Sequence, residues 1–167
     1  MRIERVTVED GCVCVRIRMA EGEPLRTTGA PEVAERLAAA LAGLWRHGCG
    51  NTAGRPFIAE ALDTEVPHLF EHVVLEVMAL AGAPRTLRGS TSWDFSRDGQ
   101  GVFEVTIEHD DDVTCLGAVR LAEQVITYVV SGGARPPIGR EIQRLAALRS
   151  AAAAGEGTAV ENDVEAV

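Results

Sequence analysis

Apolar and polar residues change period several times along the chain, and each change marks an element. Residues 2–8 and 12–19 alternate with period two around "EDG", and Asp10-Gly11 is a two-residue hairpin signal because both positions can take positive φ. In the second strand Val13, Val15, Ile17 and Met19 share one face, while Cys12, Cys14, Arg16 and Arg18 share the other, so the first face is core. "APEVAERLAAALAGLWRHGCGN" then shifts to a helical period: Pro31 suits a first turn, Val33, Leu37, Leu41 and Leu44 form the stripe, and Gly48 stops it. Residues 49–62 fit either a short helix or an extended piece.

"DTEVPHLFEHVVLEVMAL", residues 63–80, is the clearest amphipathic helix, with Asp63 or Thr64 as cap and Pro67 near the first turn. Leu69, Phe70, Val73, Val74, Val77, Met78 and Leu80 cover one half, and His68, Glu71, His72, Leu75, Glu76 and Ala79 the other. If the first half is core, the second faces solvent or a cleft. Residues 84–100 are a long polar loop, "GVFEVTIEHDDD" a strand with Phe103, Val105 and Ile107 inward, and 113–130 a third helix. After the breaker "SGGARPP" comes a short helix near 138–150, then an acidic tail over 151–167. The order predicts one α+β domain over 1–150, with helices on one face of a small, mostly antiparallel sheet opened by an N-terminal β-hairpin.

Composition narrows the function. A 167-residue chain with 46% hydrophobic and 25% charged residues suits one globular domain. Sixteen Lys and Arg against 25 Asp and Glu give a net charge of −9, and the bases are scattered, which argues against a nucleic-acid partner. There is no apolar run of bilayer length and no signal-peptide core, so the expected setting is cytoplasmic, without a membrane partner. In that setting Cys12, Cys14, Cys49 and Cys115 read as small apolar filler. A zinc site pairing Cys12-x-Cys14 with His47-x-Cys49 is the sharper alternative, although neither spacing is the usual C-x₂-C. No phosphate-binding glycine motif occurs, so ATP and dinucleotide chemistry find no support.

The chemistry concentrates on the 63–80 helix. His68 and His72, four apart, rise from one face and can offer two nitrogens to one metal. Glu71 on the adjacent flank can hold a water beside that metal and take its proton. H-x-x-E-H is the inverted form of the H-E-x-x-H zinc-peptidase motif, and zinc suits these donors. Glu76 is eight residues, about 12 Å, from His68 along the axis, a place from which to orient a histidine rather than to ligate. For a third ligand, Glu108 or Glu104 on the later strand fits best, with His47 and Asp63 as alternatives. Arg88 and Thr91 in the long loop are candidate substrate contacts, with Arg85 and Trp93 beside them.

"DTEVPHLFEHVVLEVMALAG", "RGSTS", "GVFEVTIEHDDD" and "AVRLAEQVI", in this order, resemble the N-terminal domain of cyanophycin synthetases across about residues 1–150. The ATP-dependent modules that build the Asp- and Arg-containing polymer in those enzymes have no counterpart here. The resemblance implies one of two uses: a zinc metallopeptidase-like cut of the polymer, or a non-catalytic module that holds it. Carried over, His68, His72 and Glu108 would be the metal ligands and Glu71 the base. Ser90 and Ser92 stand where the family often has arginines, a departure that bears on substrate. The sequence thus predicts a zinc-dependent peptide or isopeptide hydrolase, with a polymer- or partner-binding module as the alternative. A homodimer through the apolar helix 113–130 is a further candidate arrangement.

Overall fold

The computed structural model describes residues 1–30, 32–50 and 57–160. Pro31, part of the 49–62 segment and the end of the acidic tail lie outside the described residues. Strands β1 (Arg2–Glu9) and β2 (Cys12–Arg18) form the expected hairpin. Its turn departs from expectation in one respect: Gly11 takes positive φ, at 76°, and Asp10 does not. Helix α1 (Val33–Ala40) is followed by a 3-10 turn (Ala42–Arg46), the short α2 (Phe57–Glu60) and the long α3 (Val66–Leu80). Then come β3 (Gly89–Ser92), α4 (Phe95–Asp98), β4 (Val102–Glu108), α5 (Asp112–Ser131) and α6 (Ile138–Val160).

The sheet order is β1-β2-β4-β3, and every pairing is antiparallel. On its inner face Val13, Val15 and Ile17 of β2 lie beside Ile107, Val105 and Phe103 of β4, all buried. Helix α3 covers β3 and β4, α5 covers β1 and β2, and the two helices pack side by side. α6 closes over α5, where Leu145 lies so close to Gly117 that a Cβ there would stand 2.3 Å from Leu145 Cδ2. Only glycine admits that approach. By length and composition α5 alone among the described helices could cross a bilayer, against the expectation of no such segment. Its apolar stripe, from Cys115 through Ala122 to Val129, lies in the core.

Three elements differ from their sequence reading. The helix expected to run on to Gly48 breaks at Leu41 (φ −144°, ψ 74°), which carries that side chain inward and restarts the chain as the 3-10 turn. The polar loop 84–100 contains β3 and α4: Ser and Thr pair with β4, and the Asp94 side chain caps α4 by accepting from Ser96 N and Arg97 N. The helix expected to end near 150 continues to Val160. Exposed Ala151–Ala154 sustain it through intrinsic propensity, with no buried face.

Candidate metal centre

The apolar half of α3 is buried except for Leu80, expected in the core but exposed at the helix end, and the polar half is largely buried too, with His68, Leu75 and Ala79 half-buried. Glu71 and His72 are 4% exposed and line a cleft, while Glu76, 0% exposed, is sealed beneath Gly43 outside it. The cleft has a volume of about 980 Å³ and is walled by α3, by His47 to Gly50 after the 3-10 turn, and by the Arg88–Thr91 segment. Buried polar groups at such density must find partners or ligands, and most of them do.

Thr64, expected to cap α3, instead places its hydroxyl 2.7 Å from His68 Nδ1. The cap position is Glu65, which makes no side-chain cap bond. With Nδ1 engaged, His68 presents Nε2 into the cleft, 3.5 Å from Cys49 Sγ. The His72 ring stacks on Phe57, with centroids 3.7 Å apart and 20° between planes, and its Nδ1 lies 3.4 Å from His47 Nδ1. His47 in turn bonds Glu76 Oε2 through Nε2 at 2.7 Å, and Arg85 Nη1 donates to the same oxygen at 3.1 Å. Glu76, expected beside one of the motif histidines, touches His47 instead. Thr91 Oγ1 donates to Glu71 Oε2 at 2.6 Å.

Electrostatics follow burial. His72 is held down to about 3, by burial first and then by His68 and His47; His68 is lowered by burial against the opposing Glu65 and Glu60. Both rings are thus neutral imidazoles, the form that ligates metal. Burial raises Glu71, with the Thr91 bond opposing. Burial would also raise Glu76, but the hydrogen bonds and charges of His47 and Arg85 outweigh it and hold the carboxyl below its ordinary value.

Each carboxylate is packed beneath a glycine. A Cβ on Gly89 would fall 2.6 Å from Glu71 Cγ and 2.7 Å from its Oε1; one on Gly43 would fall 1.8 Å from Glu76 Oε1. The broken helix at Leu41 has its reason here: the 3-10 turn brings bare backbone over the Glu76 side chain.

The donor atoms of Cys49, His68 and His72 all lie within 4.8 Å of one another. Glu108, expected as the third ligand, is not part of this group. The alternation that turns Phe103, Val105 and Ile107 toward α3 turns Glu104 and Glu108 to the opposite face of the sheet. There Glu108 is exposed and accepts from Arg88 N at 2.9 Å, and Glu104 pairs with Arg16. Among the alternatives, Asp63 is engaged by Arg26 at the rim, while His47 lies behind His72. Arg88 and Thr91 both line the cleft, Thr91 with its hydroxyl on the candidate base. Phe57 was not singled out by sequence, and Cys49 was offered only in a zinc site with His47, Cys12 and Cys14; the structure groups it instead with His68 and His72, and Cys12 and Cys14 belong to a separate group. The one local signal for Cys49 is its seat between Gly48 and Gly50 in "HGCGN", a setting unlike that of a core filler.

A family model described as the cyanophycin synthase-like N-terminal domain matches residues 14–131, over two thirds of the chain and all the cleft residues named above. Among curated proteins, none matches the chain.

Proposed function

Since the chain belongs to the family of cyanophycin synthase-like N-terminal domains, we propose that its cleft is a zinc-dependent hydrolase site for a peptide or isopeptide bond. The observation that carries this reading is the convergence of Cys49, His68 and His72 beside a buried glutamate. One thiolate and two imidazoles suit zinc and leave a coordination position open, as catalytic sites require. Tetrahedral zinc at usual bond lengths sets sulfur and nitrogen donors about 3.6 Å apart, and Cys49 Sγ stands 3.5 Å from His68 Nε2. When bound, zinc would supply Lewis acidity, polarising the scissile carbonyl and acidifying the attacking water.

The protein's own groups complete the chemistry. Thr64 engages Nδ1 of His68 and so turns its Nε2 toward the cleft, and the Glu76–His47 pair backs the His72 ring. Thr91 holds one oxygen of Glu71. The other takes the proton from water and returns it to the leaving amine, a task favoured by a carboxyl raised toward neutrality. Arg46, Arg85 and Arg88 along the walls would meet substrate carboxylates.

Elemental analysis of purified protein, with cyanophycin and short peptides as substrates, tests the proposal. Glu71→Gln is expected to keep its zinc and to lose roughly 10²–10⁴-fold in hydrolysis. Hydrolysis by Glu71→Gln at the parent rate would remove the base from the mechanism. A protein that takes up no zinc and still retains polymer on a filter would make the cleft a binding groove.

A further inference from the structure

Two of the four cysteines stand where apolar filler does not belong. Cys12 and Cys14 alternate with buried Val13 and Val15, so both thiols share the outer face of the sheet, away from the helices and half-buried. The hairpin places Glu9 directly across from Cys12, and β4 places Glu108 on its other flank. Thr7 and Thr106 flank Cys14, and its Sγ is 3.8 Å from Thr106 Oγ1. Cys12 Sγ is 3.9 Å from Glu9 Oε2, and the donor atoms of Glu9, Cys12 and Cys14 lie within 4.8 Å of one another.

We propose that Glu9, Cys12 and Cys14 form a second metal site, on the opposite side of the sheet from the histidine cleft, that takes a thiophilic cation of the zinc class.

Two sulfurs and a carboxylate form a soft, anionic donor set, which selects such ions over magnesium or calcium. The donors sit on two paired strands joined by a two-residue turn, so binding orders little that is not already ordered. When a cation enters, each thiol releases one proton to solvent as its metal–sulfur bond forms. The nearest guanidinium in the row, Arg16, is engaged by Glu104 and Asp98 and does not compete. Three protein donors at the surface leave room for a further ligand, which makes the site exchangeable.

Cobalt(II), whose thiolate complexes absorb in the near ultraviolet, separates this site from the cleft. Cys49→Ser protein titrated with cobalt is expected to show the thiolate band, to lose it on adding zinc, and to show none once Cys12→Ser and Cys14→Ser are also introduced. Buried Cys115, its thiol pushed up to about 12, contributes nothing in the folded state. Circular dichroism of each variant should match the parent, showing that the near-isosteric Cys→Ser changes leave the fold intact. Zinc content is expected to fall by one ion per chain in Cys12→Ser/Cys14→Ser while His68 and His72 are intact. A Cys49→Ser protein without a thiolate band, or a band that survives loss of Cys12 and Cys14, would overturn the proposal whatever the cleft binds.

Discussion

The two buried glutamates of α3 are shaped as much by what faces them as by their own chemistry. Gly89→Ala would set a methyl within 2.8 Å of three heavy atoms of Glu71. That forces the carboxylate off Thr91, with little effect on the rest of the fold. Hydrolysis should fall about as far as in Glu71→Gln while bound zinc is unchanged; activity near the parent level would show that the carboxylate is not where the reaction needs it. His72 gives a second residue-scale expectation. Its folded pKa is depressed to about 3 while an unfolded histidine titrates near 6.5, so above that value both states are neutral and pH has no leverage. As pH falls from 6.5 toward 3 the unfolded chain takes up a proton the folded one refuses, and stability drops by up to ~1.4 kcal/mol per unit. Urea midpoints of metal-free protein at pH 7, 6 and 5 should fall accordingly, and His72→Gln should flatten the decline. At this scale the sequence was partly legible. Spacing alone placed His68, Glu71 and His72 on one wall. Cys49 was legible only as a partner of His47 and the hairpin cysteines, because its approach to His68 and His72 depends on a loop whose path no period encodes, and Glu108 misled because the polar face of its strand turns away from α3.

Helices read well where burial imposes a period and poorly where something else sets their length. α3 and α5 run close to their expected spans because apolar stripes bind them to the sheet. α1 stops early because the following turn must pass over Glu76, a tertiary demand absent from its own sequence. α6 runs on past Ser150 because alanine favours helix whether or not anything packs on it. The two halves of α6 should therefore differ in worth. Ending the chain at Ser150 is expected to leave the melting temperature within a few degrees of the parent. Leu145→Ala removes a fully buried side chain nested on Gly117 and should cost ~2–5 kcal/mol. Equal effects from the two changes would mean that the exposed extension carries unsuspected contacts.

For the molecule as a whole, the α+β class and the antiparallel sheet were legible from the order of periods, and the sheet's internal order was not. Adjacent strands in sequence usually lie side by side, yet β4 sits between β2 and β3, pairing Cys12 with Glu108 and Arg18 with Val102. No local signal in either strand announces that partner. A fragment of residues 1–100 keeps the hairpin, the cleft helix and every cleft residue named above, but lacks the strand that joins the two halves of the sheet. It should show no cooperative unfolding transition by circular dichroism, and a sharp transition would mean that the cleft half folds without β4.

That arrangement also governs the protein's birth. A chain leaving the ribosome makes β1 and β2 first, and a lone hairpin is at best marginally stable in water. The inner face of β2, with Val13, Val15 and Ile17, and the edge that will receive β4 must wait until some ninety further residues have been made. At 5–20 residues per second that is roughly 5–20 s. During that interval the nascent chain exposes an apolar strand with an open edge, the feature that invites pairing with a neighbour on the same message. Pauses in translation that fall between the codons for Arg18 and Val102 would lengthen this exposure.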